Sequence, residues 1–375
     1  MNILFIGPYR QYDEWGYKSR AVLKSLQKTS HNITSRPIFL SNNPSFDNYV
    51  ENTEQTIFDN YDVIIQYVLE PHAMYFGGAS KNIGIFNYET IPHSRSKDLL
   101  RSEILMDEIW TDSALIKDGL ENIFQKNNIE TKVVNVPPTL DLDSIPEQPT
   151  QALNREPELQ NRFMFYYIGN PLDEKEGCRE ICTAYLNTFT SHDAVGFTIF
   201  TDSQLDQQEI TNMLEECKKS IGNHASSYSQ PLINVKMPQN NFWTGVDKIN
   251  IHTYGDSLVS VSRSVCASSS VLEAAICQKS PIVNNQNAAY ELLGEENLWG
   301  VDSYTDFCLY SNRPLPYRYT GGELWNKPNI ESLGKVMKNC YINKLERDQK
   351  KLANQKLRKQ FENISYEKIL DKGSI

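Results

Sequence analysis

The strongest constraint on this chain is an alternation that runs through it twice. Short apolar runs, the pattern of buried strands, alternate with segments whose apolar residues recur at helical spacing. The first series opens with "NILFIG", then "GYKSRAVLKSLQKT", which carries Ala21, Val22, Leu23 and Leu26 at helical positions. "DVIIQYVL" (62–69), "NIGIFNYE" (82–89) and "MDEIWTDS" (106–113) read as further strands, "ALIKDGLENIFQKN" as a helix and "TKVVNVPP" as the closing strand. Continuous apolar strands joined through helices predict a parallel sheet covered on both faces. From Pro137 to Arg162 the chain has five prolines and no apolar period, the best linker candidate. The alternation then restarts with "FMFYYIG", "GCREICTAYLNTF", "VGFTIFT", "SQLDQQEITNMLEECKKSI", "LINVKM" and "DSLVSVS", followed by a helix holding Val271 to Ile276 and the strand "SPIVN". Two such series predict two doubly wound α/β domains facing a cleft, with ligands at the carboxyl ends of the strands. The last stretch, "KLERDQKKLANQKLRKQFENISYEKIL", is a charged, amphipathic helical pattern.

Bulk properties exclude several classes. A chain of 375 residues is too long for one ordinary core. Hydrophobic content of 39% and charged content of 22% suit a soluble globular protein. No apolar run approaches the roughly 18–20 residues of a membrane span. The N-terminus reads as a strand, not a signal peptide. Net charge is −10 with no basic run, so gripping a phosphate backbone is disfavoured as the main task, although a local basic cleft remains compatible. The seven cysteines are scattered, form no CxxC and complete no zinc set. They read as reduced thiols of a cytosolic protein. No acidic cluster has a spacing that suits Mg²⁺ or Mn²⁺, so no metal is expected.

Several separated segments, in order, resemble family 4 glycosyltransferases, the retaining nucleotide-sugar enzymes with the GT-B fold. "NIGIFNYETIPHS", "MDEIWTDSALIKDGL" and "KVVNVPPTLD" look like that family's first-domain segments, and "FMFYYIGNPLDEKEGCREICTAYLNTF" like the opening of its second domain. "DSLVSVSRSVCASSSVLEAAICQKSPIV" resembles its donor-binding motif, and "ELWNKPNIESLGKVMKNCY" its tail. The resemblance implies an N-terminal, acceptor-side Rossmann-like domain over 1–155. A C-terminal, donor-binding domain would span 160–349, with a final helix, about 350–375, crossing back to the first. It implies transfer of a sugar from a nucleotide sugar to an acceptor hydroxyl, with the leaving diphosphate helping to deprotonate that hydroxyl. That scheme needs no protein nucleophile and no cofactor.

The same resemblance names site residues. The second glutamate of the family's E-x7-E motif, which contacts the donor ribose, falls on Glu273; a carboxylate accepts two hydroxyl hydrogen bonds at once. The first falls on Val265, and neither Ser264 nor Cys266 supplies a carboxylate. The family's Gly-rich turn at the diphosphate becomes "CASSS", so Ser268, Ser269 and Ser270 are expected at a helix N-terminus that meets the anion, unless one of them simply caps the helix. Family cations after Gly169 are replaced by Asn170 and Glu176, which leaves Lys175 as the nearest candidate and Arg179 behind it. In the first domain, Gly7 and Gly16 are read as the glycine loop, Gly16 just before helix one at the donor, with Lys18 and Arg20 as added charge. Glu89 is the candidate to orient the acceptor or act as base, and His93 to bind the sugar; His72 is a weaker candidate, and Ser113 reads as a helix cap. Val265 and Cys266 would form an apolar wall suited to a deoxy or less polar sugar.

The leading expectation is therefore an active, cytoplasmic glycosyltransferase. A GT-B protein kept as a binding or scaffold subunit is the alternative that Val265, Asn170 and Glu176 motivate, and another GT-B enzyme such as an epimerase or phosphorylase is a third. The acceptor class stays open among glycan, lipid, protein and small molecule, as does peripheral membrane contact.

Overall fold

The computed structural model describes residues 1–39, 51–93, 97–146, 153, 155–201, 205–221, 231–238, 243, 245–310 and 318–372. These group into two compact units. The first takes in the residues up to Leu142, the short run Thr320–Leu324 and the residues from Gln360 onward. The second takes in Asp143–Tyr319 and Trp325–Lys359.

The first unit contains β1 (Asn2–Gly7), α1 (Glu14–Gln27), β2 (Asn32–Pro37), α2 (Glu51–Gln55), β3 (Val63–Tyr67), β4 (Lys81–Ile85), α3 (Lys97–Ile104), β5 (Glu108–Thr111), α4 (Ala114–Asn127) and β6 (Lys132–Asn135). Its six strands form one parallel sheet in the order β2-β1-β3-β4-β5-β6. Every residue of β3 and β5 is buried, as strands covered on both faces require. The second unit holds β7 (Phe163–Gly169), α5 (Cys178–Thr188), β8 (Val195–Thr201), α6 (Gln207–Ser220), β9 (Leu232–Lys236), α7 (Gly245–Tyr254), β10 (Ser257–Ser260), α8 (Ser269–Ile276), β11 (Ile282–Asn284), α9 (Ala288–Leu293) and β12 (Trp299–Val301). Its parallel sheet runs β12-β11-β10-β7-β8-β9. Strands β13 (Ser303–Phe307) and β14 (Leu324–Pro328) form a small separate sheet. Helices α10 (Ile330–Ile342), α11 (Lys344–Asn354), α12 (Leu357–Glu362) and α13 (Tyr366–Lys372) complete the chain.

Both strand orders reverse direction once: between β1 and β3 in the first sheet, and between β7 and β10 in the second. At such a crossover the connections leave on opposite faces and open a crevice beyond the strand ends, where ligands of doubly wound sheets bind. The loops after β7 and β10 therefore become the first place to look for a site.

Each unit has its own core. The second packs Phe165, Tyr185, Phe189 and Phe197 between β7, β8 and α5. In the first, Tyr366 and Leu370 of α13 join the core formed by β1, β3 and α1, with Tyr366 edge-on to Trp110 at 5.8 Å. Such an aromatic pair contributes about 0.5–1.5 kcal/mol beyond its buried area.

Two expectations need correction here. The C-terminal pattern is not one helix but three, and α11 lies the opposite way round from an ordinary amphipathic helix. Leu345 and Leu352 are exposed, while Lys350 and Asn354 are buried. The reason is specific polar packing: Lys350 Nζ sits 4.6 Å over the Trp299 ring, and Asn354 Nδ2 donates to the carbonyls of Lys279 and Asn297. The proline-rich linker candidate has buried Leu142, Ile145 and Leu159 among its described residues.

Candidate functional site

At the second crossover, the loop after β7 and the loop after β10 are stitched to each other. Past Gly169, Asn170 is turned to local use: its Oδ1 accepts from Leu172 N at 3.0 Å and its carbonyl accepts from the Tyr167 hydroxyl at 3.2 Å. Asp173 Oδ1 accepts from Lys175 N at 2.8 Å, closing a short turn over Glu174–Glu176, and also accepts from the Tyr310 hydroxyl. The Lys175 carbonyl accepts from Arg263 N at 2.8 Å and from Ser262 Oγ at 3.3 Å. Gly177 starts α5 at φ +73°, and a Cβ there would sit 2.7 Å from the Val261 carbonyl oxygen. Both the left-handed backbone and the close approach require glycine.

Arg263 fixes this junction. Its guanidinium is buried, lies 4.6 Å over the Trp325 ring, donates to Glu180 and lies 3.3 Å from Glu174. Its carbonyl accepts from Asn326 N at 3.0 Å. Three chain segments thus meet on one arginine, whose planar fork suits stacking and paired carboxylates. Asn287 clamps the next turn by donating to the carbonyls of Ser264 and Cys266, at 3.1 and 2.7 Å.

This turn delivers the chain into α8. Ser268 occupies the N-cap position with extended backbone, but its hydroxyl makes no capping bond. The plain capping role is therefore not the one it plays. Ser269 and Ser270 form the first helical turn and are buried. A helix start carries the positive end of the helix dipole, the kind of place an anion favours.

Glu273 lies one turn further on α8. Its side chain is 10% exposed, and Oε2 lies 3.5 Å from Nε2 of His252, a fully buried histidine on α7. Nδ1 of the same ring is 2.9 Å from the Tyr166 hydroxyl on β7. Burial opposes ionisation of Glu273, but the His252 hydrogen bond and the nearby Lys248 charge outweigh it and hold the carboxyl below its ordinary value. Burial pushes His252 down despite Glu273, and pushes the Tyr166 phenol up. The trio is thus a carboxylate, a neutral imidazole and a protonated phenol.

Other expected residues fall less neatly. Val265 has no exposed surface, so it presents no wall to a sugar; its carbonyl instead accepts from Ala288 N. Cys266 is buried with its sulfur 3.0 Å from Ser264 Oγ. Lys175 Nζ is 3.9 Å from Glu176, and a Cβ at Gly169 would lie 3.5 Å from the same carboxylate. Arg179 points away from the turn: it pairs with Glu216 of α6 at 2.6 Å, both side chains half exposed.

In the first unit, Gly16 is not before helix one but inside its first turn. Its N–H donates to Asp13 Oδ1 at 2.8 Å, and a Cβ would meet the Gln11 carbonyl oxygen at 2.2 Å. The chain's own packing thus requires glycine here, and the amide is already bonded to Asp13. Arg20 is buried and donates to the carbonyls of Tyr9 and Gln11, both at 3.0 Å, so it is no cleft cation. Lys18 does reach the strand ends: Nζ lies 3.3 Å from Asn87 Oδ1, which also accepts from Tyr67. Asn87 holds φ +45°, and Glu89 follows, half buried. His93 and His72 are exposed. Ser113 precedes α4 but its hydroxyl makes no capping bond and is buried without a partner.

The sequence reading missed His252, Lys248, Arg263 and Asn287. A cavity of about 520 Å³ between α5 and α10, lined by Thr188, Gly334 and Lys338 among others, lies apart from these loops. Among the described residues no group of three or more His, Cys, Asp or Glu side chains is placed to hold a metal. None of their helices is long and apolar enough to cross a membrane.

No protein-family model matches this sequence. No curated protein matches it either. Solved structures do match in fold. An E. coli trehalose-6-phosphate protein bound with UDP-2-fluoro glucose aligns with TM-score 0.66 at 13% identity, over 100% of this chain and 99% of its own. An α,α-trehalose 6-phosphate synthase from Burkholderia multivorans gives 0.64 at 10%, over 100% and 96%. A glycosyltransferase from Rickettsia africae gives 0.57 at 15%, over 100% and 97%. The neighbours include trehalose-phosphate synthases and a glycosyltransferase, and at such identities the likeness speaks for architecture. With two parallel, doubly wound sheets and whole-chain alignment to these proteins, the chain has the GT-B glycosyltransferase fold.

Proposed function

We propose that this chain is a retaining glycosyltransferase that takes its sugar from a nucleotide-sugar donor, with a UDP sugar as the first candidate. The observation that carries the reading is the second crossover. There the stitched loops deliver the chain into the α8 N-terminus, which Ser268 does not cap, and one turn below it lies the ionised Glu273. Diphosphate at the helix start and ribose on the carboxylate is the chemistry such a pair can serve. The UDP-2-fluoro glucose of the E. coli neighbour belongs to that protein and makes UDP the donor to try first.

In this reading the second unit is the donor-binding domain, with Ser268, Ser269 and Ser270 at the diphosphate, Glu273 on the ribose and Lys175 as the nearby cation. Glu89 and Lys18 of the first unit serve the acceptor, and the exposed His93 is a secondary candidate for the sugar. The bond from the anomeric carbon to the diphosphate oxygen breaks as the acceptor oxygen bonds to the same face. The acceptor proton passes to a diphosphate oxygen. No protein nucleophile, metal or cofactor is invoked, and the cytoplasm is the proposed compartment.

One observation favours a second reading. Glu176 places a carboxylate beside both Lys175 and Gly169, where a leaving diphosphate would need positive charge. A GT-B binding or scaffold subunit would tolerate that. The separating experiment is thermal unfolding with UDP, GDP, ADP, CMP and their sugar conjugates, followed by donor turnover. A nucleotide at about 100 times its Kd raises stability by roughly 2.7 kcal/mol. We expect that shift with UDP and its loss in Glu273→Ala. A UDP shift without turnover on any acceptor selects the scaffold reading, and no shift with any nucleotide rejects the donor site.

A further inference from the structure

The Tyr166–His252–Glu273 chain has a use that the donor assignment alone does not require. It crosses three elements, β7, α7 and α8, and lies inside the second unit. Tyr166 and His252 are fully buried, whereas the Glu273 side chain keeps some exposure. The protonation pattern follows from electrostatics. An imidazole lone pair aimed at a carboxylate is repelled, so Nε2 carries the hydrogen toward Glu273 and Nδ1 accepts from the Tyr166 hydroxyl. The carboxylate thus selects the tautomer, the phenol matches it, and the imidazole N–H holds one carboxylate oxygen. Only Oε2 is engaged by this bond. A free glutamate on a helix samples several rotamers, and fixing it costs side-chain entropy at the moment of binding. A residue that fixes it in advance removes that cost.

We propose that His252 is a positioning residue for the donor ribose, holding the Glu273 carboxylate in the orientation that accepts the ribose hydroxyls. This rests on the donor reading above, and the test keeps the two apart. The probes are UDP and 2′,3′-dideoxy-UDP, titrated calorimetrically into the full chain. They differ only in the hydroxyls that Glu273 would hold. Wild type should prefer UDP by about tenfold or more, the scale of a charge-assisted hydrogen bond. His252→Phe should reduce that preference to about threefold or less, with dideoxy-UDP affinity held within about twofold. A histidine that merely supports the fold would weaken both probes together and leave their ratio intact.

His252→Gln offers an N–H to the carboxylate and an oxygen to Tyr166, so it should retain most of the preference. If the phenylalanine variant does not fold, His252→Asn carries the test: it keeps a polar partner for Tyr166 but is too short to reach Glu273, and should lose the preference equally. A wild-type ratio in whichever of these two variants folds overturns the inference. If Glu273→Gln flattens the ratio while that His252 variant does not, the ribose assignment stands and His252 falls. If wild type shows no preference for UDP, the ribose assignment itself falls, and this inference with it.

Discussion

The loops that follow β1 and β7 begin alike and end differently. Each leaves a buried parallel strand at a terminal glycine, runs through a polar turn and enters a helix with a glycine near its start. After β1 the support comes from two helices: Asp13 takes the Gly16 amide and Arg20 takes two backbone carbonyls at α1, while Tyr9 and Arg10 donate to Glu54 of α2. After β7 the turn is tied to a second loop through Arg263, so the support comes from outside the turn. The same strand, glycine and helix pattern therefore marks a sheet end in both units, but says nothing of which loop has groups left for a ligand. That depends on which groups of each loop are already held, and by which neighbouring elements.

The largest test of this contrast is Arg263→Met. It removes the guanidinium and leaves the Glu180 carboxylate, 12% exposed, without its ion partner. Breaking a buried ion pair costs about 3–5 kcal/mol, and we expect the lower end, about 3, because Glu174 is one-third exposed. Denaturant melts should show that loss together with weaker UDP binding, since the α8 turn loses its anchor. A destabilised variant that binds UDP as wild type does would separate the stitching from the site. Gly16→Ala is the counterpart in the first unit. The added methyl meets a backbone carbonyl that cannot swing aside, so we expect a loss of about 2 kcal/mol by overpacking, with UDP affinity unchanged. If UDP binding fell as well, the loop after β1 would share in holding the donor.

How far the sequence reached follows from what each element buries. β3 and β8 were legible because every residue in them is buried, which leaves mostly apolar runs broken only by Gln66 in β3 and by Gly196, Thr198 and Thr201 in β8. β2, "NITSRP", carries no such run: it is an edge strand whose buried positions include Thr34 and Ser35. α11 misled because its buried face is made of Lys350 and Asn354, and periodicity assigns polar residues to water. At the candidate site, Glu273 and the three serines were singled out because they share one local motif. His252 stands 21 residues from Glu273 and is linked to it only by the fold. Arg263 was in plain view in "SVSRSV", but a buried arginine is recognised by its carboxylates, and Glu174 and Glu180 come from the loop and helix after β7.

The smallest effect tests the cations. Lys175 and Arg179 are four positions apart, and the sequence puts Lys175 nearer the expected site. The structure gives that order a physical ground. The Arg179 side chain is half exposed and engaged by Glu216 on the surface, whereas Lys175 is 16% exposed in the turn bonded to the α8 loop. An exposed pair contributes about 0.2–1 kcal/mol at most, so Arg179→Ala should change stability by less than about 0.5 kcal/mol and leave UDP affinity within about twofold. Lys175→Ala should weaken UDP several-fold more than it weakens uridine, because only the diphosphate needs the charge. The reverse ranking, with Arg179 mattering and Lys175 silent, would mean that the turn after β7 rearranges when nucleotide binds. The stitching to Arg263 would then describe the resting loop alone.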